Sequence, residues 1–182
     1  SMSPYIEKVR AEIVALVHKV IAKHPDATVN VGFVGYRDHC DGPADRIVRF
    51  DFSPDVKALP ARLASVAAKG GGDAPEDVFG GLEAALGLSW SSPTRIVFHV
   101  ADAPCHGTEF HAQGGVTAGY PGGCMGDSFP AGCPRGLTAP GLLKVARGLG
   151  VRYFFGRLND TTDRMIERFN EILKGMPHQH QH

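Results

Sequence analysis

The chain of 182 residues carries 19 Lys+Arg against 19 Asp+Glu, a formal net charge of zero. That balance argues against a general nucleic-acid or anionic-membrane binder, since both need a basic surplus. Hydrophobic residues make up 43% of the chain, enough for a core and too many for overall disorder, and the length fits one domain.

The chain opens Ser1-Met2-Ser3-Pro4 and runs directly into a helical pattern. This reads as a cut end or a cloning scar. Ser3 is a helix cap with Pro4 at the first position. Ile6, Val9, Ile13, Leu16, Val17, Val20 and Ile21 follow the 3.6-residue period of an amphipathic helix, which Pro25 ends. Ala27–Gly35 alternates as a strand, and Ile47–Phe52 is a second. Pro54–Lys69 is a helix with Val56, Leu59, Leu63 and Val66 on one face. Gly70–Pro75 breaks the chain, and a helix over Glu76–Leu88 follows.

Ile96–Ala101 is a continuous apolar run, the pattern of a strand buried on both faces. Asp102 to Thr138 is a long loop dense in Gly and Pro. Pro140–Leu149 is a helix, Val151–Phe155 a strand and Thr161–Leu173 the last helix. Gly175–His182 is a flexible tail with His178, His180 and His182 alternating. No apolar stretch approaches the roughly 20 residues of a membrane span.

Alternating helices and strands imply an α/β fold, a doubly wound (Rossmann-like) mostly parallel sheet flanked by helices. The first helix lacks the central strand that normally feeds it. We therefore expect that strand to be missing from this chain, with a gap or a borrowed strand in mid-sheet.

Ligands of doubly wound sheets bind at the carboxyl ends of the strands. Three polar clusters fall there: Ser1-Met2-Ser3, Asp73-Ala-Pro-Glu76, and Asp102 after the apolar run. Carboxylates with hydroxyls suit a hard cation such as Mg²⁺. The structural alternatives are a turn cap for Asp102, a first-turn acid for Glu76 and an N-cap for Asp73. Asp38 reads as a loop-bracing residue, Arg37 as the partner of a carboxylate and His99 as a satisfied core histidine.

These residues resemble a von Willebrand factor A domain, whose metal-ion-dependent adhesion site is built from three loops. The first loop of that family carries Asp-x-Ser/Thr-x-Ser, in many members Asp-x-Thr-Gly-Ser-Met, and this chain opens Ser-Met. The resemblance implies that Ser1 and Ser3 are first-loop hydroxyls and that the loop's Asp and Thr are missing here. The other origin of Ser1-Met2 is a cloning scar. The second loop resembles the Asp-x-Pro-Glu version of integrin β subunits, which makes Glu76 a ligand and gives Asp73 a flanking role. Asp102 fits the third-loop Asp. Gly35–His39, Gly70–Val78, Ala101–Gly107 and Tyr153–Arg157 together resemble the A domains that accompany α-kinase-like proteins. The resemblance spans residues 3–174 and implies a single domain over residues 1–174, truncated at its N-terminus.

The resemblance implies a non-catalytic recognition domain. Its Mg²⁺ (or Mn²⁺ or Ca²⁺) would offer a coordination position to an acidic residue of a partner protein. Ser1, Ser3, Asp73, Glu76 and Asp102 are the expected metal residues, occupied weakly or not at all while the first loop is incomplete. Phe110, Tyr120 and Phe129 of the long loop are the expected partner anchors.

The rival is a metal-dependent or thiol hydrolase using Asp102, Cys105 and His106. Cys105, His106 and His111, with Cys124 or Cys133, are also candidate Zn²⁺ ligands in no standard spacing. Cys124 and Cys133 are candidates for a disulfide or a metal site. Free thiols in a reducing cytoplasm are the other reading, and the cytoplasm is the expected location.

Overall fold

The computed structural model describes residues 5–42, 46–66, 75–111 and 127–177. Helix α1 (Ile6–Lys23) follows the apolar period read from the sequence. Strand β1 (Val31–Tyr36) begins later than the alternation suggests, after the turn that follows Pro25. It pairs antiparallel with β2 (Ile47–Ser53). The short link between them leaves no room for the crossover a parallel pair needs.

Helix α2 spans only Leu59–Ala64, with Pro60 in its first turn. Helix α3 (Val78–Leu86) starts two residues later than expected, because Asp77 caps it by accepting a hydrogen bond from the Gly80 N–H at 2.9 Å. Strand β3 (Arg95–Ala101) pairs parallel with β4 (Val151–Arg157), and α4 (Ala139–Gly148) is the crossover between them. Helix α5 (Asp163–Gly175) closes the described chain.

The protein is therefore mixed α/β with flanking helices, and its described strands form two separate two-stranded sheets, one antiparallel and one parallel. The expected mostly parallel single sheet is not what these four strands make. Between the two sheets lies a cavity of about 410 Å³, bordered by β1, β3 and the apolar face of α1.

The cavity also corrects the reading of β3 as buried on both faces. Ile96 is 48% exposed and Phe98 49% exposed, and both line the cavity. Val97, by contrast, packs toward the core. On α1, Leu16 and Val20 are exposed and only Val9 is buried.

The core lies on the other side of β3 and β4. Val78, Phe79, Leu82 and Leu86 of α3 meet Leu142, Leu143 and Ala146 of α4, and Met165 and Phe169 of α5. Phe79, Phe110 and Phe169 pack ring against ring at centroid distances of 5.6, 5.8 and 6.3 Å. Such pairs add about 0.5–1.5 kcal/mol each beyond their burial. Phe110 is only 3% exposed, so it belongs to this core and is not a surface anchor.

Candidate functional site

The carboxyl ends of β1 and β3 are tied together by the short segment that precedes α3. The Glu76 N–H donates to the Pro104 carbonyl at 2.9 Å, and the Asp77 N–H donates to the Arg37 carbonyl at 3.0 Å. Glu76 and Cys105 thereby form an isolated parallel bridge. From the far side, Asn159 Nδ2 and Thr161 Oγ1 donate to the Asp102 carbonyl at 3.2 and 2.6 Å. The segments after β1, β3 and β4 are thus joined, the first two by backbone bonds and the third by side-chain donors, and Glu76 and Asp102 both line the cavity between the sheets.

The electrostatics there are acidic. Burial pushes the Glu76 carboxyl up to about 8, and the negative charges of Asp38, Asp102 and Asp41 push in the same direction. Two carboxyl-bearing residues that line one cavity and feel one another's charge offer hard oxygen donors, the chemistry that Mg²⁺ or Ca²⁺ takes. Ser1, Ser3 and Asp73, the other expected metal residues, lie outside the described residues, as does Tyr120.

A second polar cluster sits beside the first. His106 is 2% exposed, with Nε2 2.7 Å from Asp38 Oδ1 and Nδ1 2.7 Å from Asp127 Oδ1. Burial opposes its charge, but the hydrogen bonds to the two carboxylates outweigh this and raise His106 to about 9. Asp127 also accepts from His111 Nε2 at 2.8 Å and from the Gly107 and Phe129 N–H groups at 2.9 Å each. Burial alone would raise Asp127, and these bonds instead hold it below the usual carboxylate range. Phe129 lies edge-on to His39 and His106 at 5.4 and 5.0 Å, a half-buried wedge between two imidazoles.

The chain is 37% identical over 176 residues to "Alpha-protein kinase vwkA" of Dictyostelium discoideum. The match takes in 96% of this chain and 26% of that protein, so the chain spans about a quarter of its relative's length. No model of a known protein family matches the chain. The expected association with an α-kinase thus finds a relative of that name.

The remaining candidates are placed as follows. Cys105 is 1% exposed, and its burial raises the thiol well above its ordinary range. Its backbone N–H donates to Met165 Sδ at 3.4 Å, within the core. His106 is engaged by two carboxylates rather than by Cys105. His99 is the core histidine expected, held between Tyr36 and Tyr153 hydroxyls at 2.6 and 2.5 Å. Asp38 braces its loop as read, through His106 and a capping box with Asp41. Among the described residues no helix is long and apolar enough to cross a membrane.

Sequence reading missed Asp127 and the pairing of His39 with Asp77. Asp77 had a usable signal, an Asp just ahead of the apolar helical run, which is an N-cap signature. Asp127 had none, since its partners are 16 and 21 residues away in a loop without periodicity.

Proposed function

We propose that the chain is a von Willebrand factor A-like recognition domain. Its divalent-cation site at the strand ends would use Glu76 and Asp102 and recruit a partner protein through an acidic residue. The reading rests on Glu76 and Asp102 lining one cavity where the strand ends are joined, with the backbone there held by the Glu76–Pro104 and Asp77–Arg37 bonds. The named α-kinase relative supports a place for the domain alongside kinase chemistry that lies elsewhere.

Glu76 and Asp102 would hold the ion, and Mg²⁺ bound there supplies a Lewis-acidic coordination position. The residues of the chain supply the rest. Asn159 and Thr161 fix the Asp102 backbone, and the Pro104 carbonyl fixes that of Glu76. The Asp38–His106–Asp127 bonds hold the loop after β3 in place. The buried, protonated Cys105 thiol speaks against the thiol-hydrolase alternative.

Calorimetric titration with Mg²⁺ and Mn²⁺ tests this reading. The chain is expected to bind weakly at one site, and Asp102→Ala is expected to remove that binding. Binding in the His-rich tail is common to both proteins and cancels in the comparison. Identical isotherms for the two would overturn the proposal.

A further inference from the structure

His39, in the turn after β1, Asp77, at the N-terminus of α3, and Cys133 place one ligand atom each within 4.8 Å of one another. His39 Nε2 is 3.2 Å from Asp77 Oδ1, and the two side chains are only 9% and 1% exposed. Ligands on a tetrahedral Zn²⁺, with bonds of about 2.0–2.3 Å, stand about 3.3–3.8 Å apart, the shortest being nitrogen–oxygen pairs. The His39–Asp77 separation is of that size.

Two of these polar groups have no hydrogen bond to satisfy them. His39 Nε2 and Asp77 Oδ2 are buried without a partner in hydrogen-bonding geometry. Arg46 Nε stands 3.3 Å from Asp77 Oδ2 as an ion pair. Asp77 Oδ1 accepts from the Gly80 N–H and has capacity for a second donor. Native proteins rarely bury such groups unsatisfied, because each costs about 1–3 kcal/mol.

The ring of His39 is already oriented. It is wedged against Phe129 at 5.4 Å and against His106 at 5.5 Å. His106 itself is occupied on both nitrogens by Asp38 and Asp127, so it is no competitor for the ion. Cys133 carries a free, half-buried thiol.

We infer that His39, Asp77 and Cys133 form a transition-metal site of the zinc type, with a fourth position open to water or another donor. Imidazole, carboxylate and thiolate together suit Zn²⁺ and do not suit Mg²⁺. The site is separate in residues and in chemistry from the Glu76–Asp102 pair. Its ion would tie the turn after β1, the start of α3 and the segment carrying Cys133 into one unit.

Titration with Co²⁺, followed by absorption, is the test. The expected result is a near-ultraviolet thiolate-to-cobalt charge-transfer band with the intense visible bands of tetrahedral Co²⁺, displaced by Zn²⁺. Cys133→Ser, at a half-buried position that should tolerate it, is expected to abolish the charge-transfer band and weaken binding by more than about tenfold. His39→Gln should weaken binding while leaving the circular dichroism unchanged. Cobalt held by the tail histidines gives no thiolate band. Absence of the band in the unmodified chain, or its persistence in Cys133→Ser, would overturn the site.

Discussion

Nε2 of His106 lies 2.7 Å from Oδ1 of Asp38, a residue 68 positions earlier, and both side chains are 2% exposed. The pair joins the loop that leaves β1 to the loop that leaves β3. It therefore fixes the two loops relative to one another. His106→Ala leaves the Asp38 and Asp127 carboxylates buried without their shared cation. We expect a loss of about 3–5 kcal/mol in urea unfolding. His106→Gln, which keeps one hydrogen bond, should lose less.

Stability should fall on the alkaline side of neutrality. His106 is raised to about 9, so its stabilising charge is fully present below about 6.5 and is lost as pH rises through 9. Glu76 is raised to about 8, so folding is opposed progressively as pH rises from the ordinary carboxylate range through 8. Burial lowers His99 to about 4, so its contribution is lost as pH falls from 6.5 through 4. Each group gives a slope of up to about 1.4 kcal/mol per pH unit. The Glu76 and His99 slopes oppose one another on the acid side, whereas those of Glu76 and His106 add above 6.5. Unfolding free energies measured from pH 5 to 9 should therefore be nearly flat at first and then decline. Glu76→Gln should make the decline shallower.

Gly81 of α3 lies against Tyr36, where a Cβ would stand 2.4 Å from the ring's Cδ1 and 2.7 Å from Cγ. Tyr36 cannot swing away freely, because its hydroxyl is bonded to His99. Alanine would gain about 1 kcal/mol in helix propensity, but overpacking costs about 1–3 kcal/mol. We expect Gly81→Ala to be destabilising by roughly 1–2 kcal/mol, checked by thermal and urea unfolding.

Thiol reactivity separates the two functional readings. Cys105 is buried with its thiol kept protonated, whereas Cys133 is half-buried. Mass spectrometry of the metal-free protein after iodoacetamide at neutral pH should find Cys133 alkylated and Cys105 protected until the protein unfolds. Rapid alkylation of Cys105 would restore the thiol-hydrolase reading.

The parts of the fold legible in the sequence were those encoded locally. The apolar patterns of α1 and α5 and the apolar run of β3 each produced the expected element, and α4, β2 and β4 formed where their segments were read. Asp102 and Glu76 were legible because a residue directly after a strand, or at the start of a helix, has a position that topology fixes. What stayed hidden depends on contacts distant in sequence. Phe110 looked exposed within a Gly- and Pro-rich loop, yet it reaches the core between Phe79 and Phe169. His39 meets Asp77 and Cys133 only through the fold, and no spacing announces it. The antiparallel β1–β2 pair was hidden for a related reason, since alternation in a strand carries no information about its neighbour's direction.

The central claim is that Glu76 and Asp102 together hold a divalent cation. The most direct measurement is paramagnetic broadening by Mn²⁺ in the protein's NMR spectrum, which detects even weak occupancy. Substoichiometric Mn²⁺ should broaden the amide signals of Glu76, Asp102 and Ala103, apart from any effect in the tail. Asp102→Ala should abolish this broadening. Broadening confined to other residues, or unchanged in Asp102→Ala, would contradict the claim.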